Sequence, residues 1–266
     1  MPKAHAPGAI LHYELCGSGP PLVLTMGQGS GAEARAPMLE ALGRFRTVLS
    51  YDQRGTGRSE PADQRVPIET LAQDLLAVMS AAGIDRADLM GLSTGTGKAT
   101  ALAARHPERV RSLILGAPWV WGDPSLQILQ NMRKAAVLTM PIEHYVHFNS
   151  MLIYPPEYRR LHHDRLVAQA RAAASKPVDA AALAARLDAI LNYDARRDYP
   201  LIQAPTLVIG AVDDLVMPVW HARECAERIT GSRLIVFDGG GHLFAETRPE
   251  AFSNAVRDFV QQVADQ

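Results

Sequence analysis

The chain has 266 residues, with 27 Lys and Arg against 28 Asp and Glu, so its formal charge is −1. That length can bury a large core in one domain with an insertion or in two small domains, and the balanced charge gives no reason to expect nucleic acid or an anionic membrane as a partner. No apolar run is long enough to span a bilayer, the N-terminal Met1-Pro2-Lys3-Ala4-His5-Ala6-Pro7 lacks an apolar signal core, and Cys16 and Cys225 read as buried reduced thiols, so a soluble cytoplasmic protein is expected.

Taken in chain order, Ile10 to Leu15 alternates weakly and predicts an early strand closed by Gly17-Ser18-Gly19-Pro20. Leu22 to Met26 is a short apolar run of the kind that forms a buried strand, followed by the loop Gly27-Gln28-Gly29-Ser30-Gly31 and a helix from about Glu33 to Leu42. Thr47 to Tyr51 predicts the next strand, and the polar stretch from Asp52 to Ser59 predicts a turn held by Asp52 and Arg54. Helical spacing through Leu71, Leu75, Val78 and Met79 marks a helix from Ile68 that Gly83 stops. A strand at Ala87 to Met90, a helix from Thr94 to His106 and a strand at Val110 to Leu115 come next. Beyond Pro200 the alternation resumes with strands at Pro205 to Gly210 and Arg233 to Phe237, a helix near Val219 to Ile229, and a last helix from Pro249 to Val263. Strands that alternate with helices predict an α/β fold with a mostly parallel sheet. The segment 119–198 breaks this rhythm: it is Ala-rich and helical by composition, and it reads as a helical lid inserted into a core made of residues 1–118 and 199–266.

Gly91-Leu92-Ser93-Thr94-Gly95 sits where the strand before it meets the helix after it, which is the setting of a nucleophile elbow. At average glycine usage a chance match in a chain of this length occurs about one time in ten, so the weight rests on residues further along the chain. Asp213-Asp214 comes just after one strand pattern and Gly240-Gly241-His242 just after another, giving the order Ser, Asp, His at the carboxyl ends of three strands. In open α/β sheets that edge is where sites form.

On these residues the chain resembles the α/β-hydrolase superfamily. The resemblance also takes in Met26-Gly27-Gln28-Gly29, Asp52-x-Arg54-Gly55-x-Gly57-x-Ser59, His106-Pro107-Glu108-Arg109-Val110, Gly210-x-x-Asp213 and Pro249-Glu250, and so covers nearly all of the chain outside the insert. Within the superfamily it is similar to lidded hydrolases of small molecules, among them enol-lactonases and the carbon–carbon bond hydrolases of aromatic degradation. Tyr51 to Gly57 and Leu152-Ile153-Tyr154-Pro155 resemble the aminoacrylate-hydrolase group. The chain departs from the common pattern at Met26, where many members have histidine, at Thr96, where many have a second glycine, and at Lys98, a helix position that is often apolar.

The resemblance implies a catalytic set of Ser93, Asp213 and His242, with backbone N–H groups of Gln28 and Thr94 as the oxyanion hole. Asp213, three residues after Gly210, is the preferred acid; Asp214, four before Pro218, also fits a common form of the loop. The implied activity is hydrolysis of a small carboxylic ester or lactone through an acyl-enzyme, with no cofactor and no metal. Hydrolysis of a C–C or C–N bond, or perhydrolase or haloperoxidase chemistry, would use the same residues. The expected partner is a small-molecule substrate, and a homo-oligomer is compatible with the chain. Trp119, Trp121, Met132, Met140, Phe148, Met151 and Tyr154 are candidates for an apolar pocket or for the lid's own core.

Three readings from other classes compete with this one. Gly27 to Ala32 fits the dinucleotide fingerprint G-x-G-x-x-A, but a strand precedes that unit and the reading leaves Ser93, Asp213 and His242 without a role. Gly95-Thr96-Gly97-Lys98 suggests a phosphate loop, but Leu92 and Ala99 stand where glycine and a hydroxyl residue are needed. A non-catalytic ligand-binding protein on the same scaffold is the third.

Overall fold

A computed structural model describes residues 2–27, 32–60, 66–175 and 178–265. Its strands are β1 (Lys3–Ala6), β2 (Ala9–Gly17), β3 (Pro21–Thr25), β4 (Thr47–Tyr51), β5 (Ala87–Leu92), β6 (Val110–Gly116), β7 (Thr206–Ala211) and β8 (Arg233–Phe237). The helices are α1 (Ala32–Gly43), α2 (Ile68–Ala81), α3 (Thr94–Arg105), α4 (Pro124–Thr139), α5 (Ile142–Ile153), α6 (Pro156–Leu161), α7 (His163–Ala174), α8 (Ala180–Asn192), α9 (Val219–Arg228), α10 (Phe244–Thr247) and α11 (Pro249–Ala264).

The described strands form one sheet in the order β1-β2-β4-β3-β5-β6-β7-β8. The β1–β2 and β2–β4 pairs are antiparallel and every pair from β4 to β8 is parallel. Central strands buried on both faces need apolar residues at successive positions, and β5 and β7 are buried at every residue. The parallel α/β expectation therefore holds. β1 was not expected: it pairs with β2 across the two-residue connection Pro7-Gly8, a dipeptide that itself signals a turn.

Between β6 and β7 the described chain contains α4 to α8 and short 3-10 turns, with no strand. These helices carry a small apolar cluster of their own, around Ala136, Val137, Tyr145 and Ala184, distinct from the main core. Of the residues considered for an apolar pocket, Trp119 belongs to the main core, whereas Met132, Met140 and Met151 are exposed. Cys16 on β2 and Cys225 on α9 are both free, Cys225 fully buried and Cys16 only partly.

The turn after β4 is hydrogen-bonded throughout. Asp52 accepts from the Arg58 N–H at 3.0 Å and from Arg35 Nη2 at 2.7 Å, and Ser59 Oγ donates to the Asp52 carbonyl. Arg54 does not hold this turn through Asp52; its guanidinium reaches across to Asp74 on α2, with Nε at 2.6 Å from Oδ2. Gly57 lies at φ +56, and a Cβ there would stand 2.5 Å from the Asp52 carboxyl carbon. A Gly57→Ala change adds left-handed strain to that clash, so it should cost about 2–4 kcal/mol of unfolding free energy. Urea unfolding checks this, and a loss below about 0.5 kcal/mol would count against it.

Candidate active site

β5 delivers the chain to Ser93, which adopts φ 54 and ψ −126 before α3 begins at Thr94. A non-glycine residue there is strained, typically by about 1–3 kcal/mol, and persists only where its surroundings enforce it. They do so closely. The Ser93 N–H donates to the Gly116 carbonyl on β6 at 2.8 Å. A Cβ on Gly91 would meet the Gly95 carbonyl at 2.6 Å, and one on Gly95 would meet the Thr25 carbonyl at 2.0 Å. Both outer positions of the pentapeptide must therefore be glycine for the backbone of β3, β5 and α3 to come together. Thr96, where a second glycine is common, donates from its hydroxyl to the Ser93 carbonyl at 2.6 Å and so closes the first turn of α3.

His242 reaches Ser93 from the loop after β8. Its Nε2 lies 2.8 Å from Ser93 Oγ, and its Nδ1 lies 2.9 and 3.1 Å from the two carboxylate oxygens of Asp214. All the polar contacts agree with one tautomer: Nδ1–H donates to Asp214 and Nε2 accepts from the serine hydroxyl. The partner of His242 is thus Asp214, not the preferred Asp213. The chain turns after β7, with the Asp214 N–H bonding back to the Ala211 carbonyl, and the two adjacent carboxylates diverge. Asp213 accepts from the N–H groups of Gly240 and Gly241 at 3.2 and 2.8 Å, bracing the loop that carries His242. Asp214 is buried and also accepts from the N–H groups of Val216 and Met217 at 2.8 and 2.9 Å. Counting from Gly210 cannot tell these roles apart.

The Thr94 amide follows Ser93 directly in the first turn of α3, at the positive end of the helix dipole. Gln28 lies outside the described residues. The chain just after β3 does approach the serine, since a Cβ on Gly27 would stand 2.8 Å from Ser93 Cβ.

Two neighbouring features are not legible in the sequence. Lys98, on α3, is buried, and its amine donates to the Met26 carbonyl at 2.9 Å and to Gln53 Oε1 at 2.8 Å, with the Tyr51 ring 5.7 Å away. Burial pulls its pKa down to about 7, partly opposed by Asp74 and reinforced by Arg35. In a trans peptide the C=O and N–H point opposite ways, so the bond to Met26 also fixes the direction of the Gly27 N–H, just after β3. The departure from the common apolar residue is visible in the sequence; the partners are not. Second, the inserted helices clasp the His242 loop. The Leu243 N–H donates to the Ile153 carbonyl, and Glu246 receives the hydroxyls of Tyr154 and Tyr158 at 2.9 and 3.1 Å and Arg165 at 2.8 Å.

Chemically, the Ser93–His242–Asp214 line can move a proton from a hydroxyl to an imidazole and stabilise the resulting cation. Comparison with known proteins gives the family to which the fold belongs. RutD of Azorhizobium caulinodans, whose name proposes carbamate hydrolase activity, is 32% identical over 263 residues, 99% of each chain. A hydrolase of Pseudomonas aeruginosa PA01 superposes with a TM-score of 0.86 at 30% identity, covering 97% of this chain and 96% of its own. The enol-lactonase of Burkholderia xenovorans LB400 does so with a TM-score of 0.85 at 29% identity, covering 98% of this chain and all of its own. The family model described as alpha/beta hydrolase fold matches residues 20–249, from the edge of β3 to the start of α11, and the chain is a member of that family.

Proposed function

We propose that the protein is a serine hydrolase that cleaves a small carboxylic ester or lactone through an acyl-enzyme on Ser93. The observation that carries this reading is the unbroken hydrogen-bonded line from Ser93 Oγ through His242 to the buried carboxylate of Asp214. A serine hydroxyl is a weak nucleophile until a base takes its proton. In the proposed reaction His242 Nε2 takes that proton as Ser93 Oγ attacks the carbonyl carbon. Asp214 steadies the imidazolium. The developing oxyanion is met by the Thr94 amide and by an N–H from the loop after β3, for which Gln28 is the candidate. His242 then hands the proton to the departing alkoxide. Water, deprotonated by the same imidazole, releases the acid and restores Ser93. No step calls for a cofactor or metal. The inserted helices, 119–198, act as the lid over this site; their clasp on the His242 loop supports that assignment.

A second reading is favoured by the relatives. The names of several at about 30% identity propose carbamate hydrolysis. The same residues would attack a carbamate or related carbonyl with nitrogen as the leaving atom, and amine release from a carbamate panel would distinguish this from ester preference.

Intact mass after exposure to a fluorophosphonate, on wild type and Ser93→Ala in parallel, tests the nucleophile. One adduct on wild type and none on the variant is expected. An unlabelled, folded wild type, or a labelled Ser93→Ala protein, would sink the acyl-enzyme mechanism.

A further inference from the structure

His242 sits in a loop with little shape of its own. Gly240 and Gly241 before it lie at φ +123 and +66, a region that glycine enters freely, so the backbone there is set by its partners. After it comes α10, only four residues long and too short to stand by itself. The base is therefore aimed by whatever grips this loop from outside. The core grips one end. Asp213 accepts from the Gly240 and Gly241 N–H groups, and the Phe244 ring packs 5.5 Å from Phe237 and 6.0 Å from Phe252. The corner between α5 and α6 grips the other, against the residues on either side of His242. The Ile153 carbonyl accepts from the Leu243 N–H at 3.3 Å, and a Cβ on Gly241 would stand 2.8 Å from that oxygen and 2.9 Å from Pro155 Cδ.

Glu246, four residues after His242, fastens that corner to α10. Among the described residues, every donor to its side chain comes from the inserted helices. The Tyr154 hydroxyl donates to Oε2, and the Tyr158 hydroxyl and the Arg165 guanidinium both donate to Oε1. The donors support one another: the Tyr154 and Tyr158 rings stack 5.0 Å apart and 15° from parallel, and the Arg165 guanidinium lies over Tyr158 at 5.5 Å. Burial first, and then the Glu246 charge, push the Tyr154 hydroxyl above its ordinary pKa, so it remains a donor at any working pH. Glu246 and Arg165 are 30% and 43% exposed, and an ion pair so open to water adds little stability. Three donors from the end of α5, from α6 and from α7, converging on one carboxylate, add direction instead.

We propose that Glu246 is a positioning residue for His242: through it the inserted helices seat the base, so that the line Ser93–His242–Asp214 is complete only while those helices are docked. Asp213 holds the loop from the core and Glu246 holds it from the insert. This rests on the hydrolase reading above, and it adds what the insert does in that reaction besides covering the site.

Two readouts test it: kcat and KM for p-nitrophenyl butyrate, and the nitrogen NMR shifts of the His242 ring, assigned by their loss in His242→Gln. Wild type should show one tautomer, with the proton on Nδ1. Glu246→Ala should lower kcat by about tenfold at unchanged KM and leave the ring a mixture of tautomers. Tyr154→Phe with Tyr158→Phe, which alters only the inserted helices, should do the same, and it keeps the test open where Glu246→Ala folds poorly. Adding Glu246→Ala to the tyrosine pair should cost nothing further, since all three act through one contact. Arg160→Gln, whose partner is the exposed Glu157 on α6, should move neither readout. Ring shifts that respond to these substitutions in a protein that turns over no ester would uphold the positioning role and overturn the hydrolase reading. Unchanged kcat in an active protein, unchanged ring shifts, mixed tautomers already in wild type, a loss confined to KM, or losses that simply add would overturn the positioning role.

Discussion

Asp214→Asn is expected to lower kcat/KM for a p-nitrophenyl ester by about 10³–10⁴-fold, as loss of the orienting carboxylate does in other serine hydrolases, while Asp213→Asn loses less than about tenfold. Asparagine at 214 removes the negative charge facing the imidazolium and can present an NH2 group to Nδ1, which favours the tautomer with its proton on Nε2, where the serine proton must go. Asp214 also accepts from Val216 and Met217 through one oxygen, so the amide can be held in place of the carboxylate while the chemistry fails. Asparagine at 213 keeps one acceptor for the Gly240 and Gly241 amides, enough to hold the loop in outline. Steady-state rates on both variants, with circular dichroism to check folding, decide the matter. Equal losses, or a larger loss at 213, would show that the hydrogen bonds to His242 do not identify the working acid.

The second large effect concerns Lys98 and stability. Its folded pKa, about 7, lies below the reference value of 10.5, so between those values the unfolded chain binds a proton that the folded chain has released. Stability attributable to this group therefore rises with pH through that window, and below about pH 7 the full cost of burying the ammonium is present. The geometry agrees. A neutral amine has two N–H donors, and Met26 and Gln53 provide two acceptors; among the described residues the third proton of the ammonium has the Tyr51 face and no further acceptor. From pH 6.5 to 9.0 the contribution to unfolding free energy should grow by roughly 2–3 kcal/mol. Cys16 and Cys225 oppose it near the upper end, since burial holds both thiols protonated in the fold, Cys225 up to about 12. Both remain in Lys98→Met, so the difference between wild type and that variant isolates the lysine. Urea unfolding at the two pH values should show Lys98→Met lacking this increment, and identical pH profiles would refute the assignment.

Much of the sheet could be read from the chain because buried parallel strands are written as short apolar runs and the helices between them repeat at helical spacing. Ser93 and His242 were equally legible, since the elbow glycines and the glycines before the histidine are demanded by backbone crowding that any such turn meets. Asp214 was not, because adjacent carboxylates differ only in which way a turn sends them. β1 was missed because it is a four-residue edge strand in which only Ala4 is buried, which carries little apolar signal. Arg133 and Gln130 look like ordinary surface residues of a helix in sequence. Both are buried because of which face of α4 turns inward, and that is set by α5, which follows at once, and by α8, further along the chain.

The backbone at Ser93 carries a consequence for how this protein can change over time. A glycine at that position would relax the left-handed strain and remove the proposed nucleophile, while freeing the unfolded chain. On the proposed reading, the strain at Ser93 is kept for what its oxygen does, and stability has to come from the rest of the sheet.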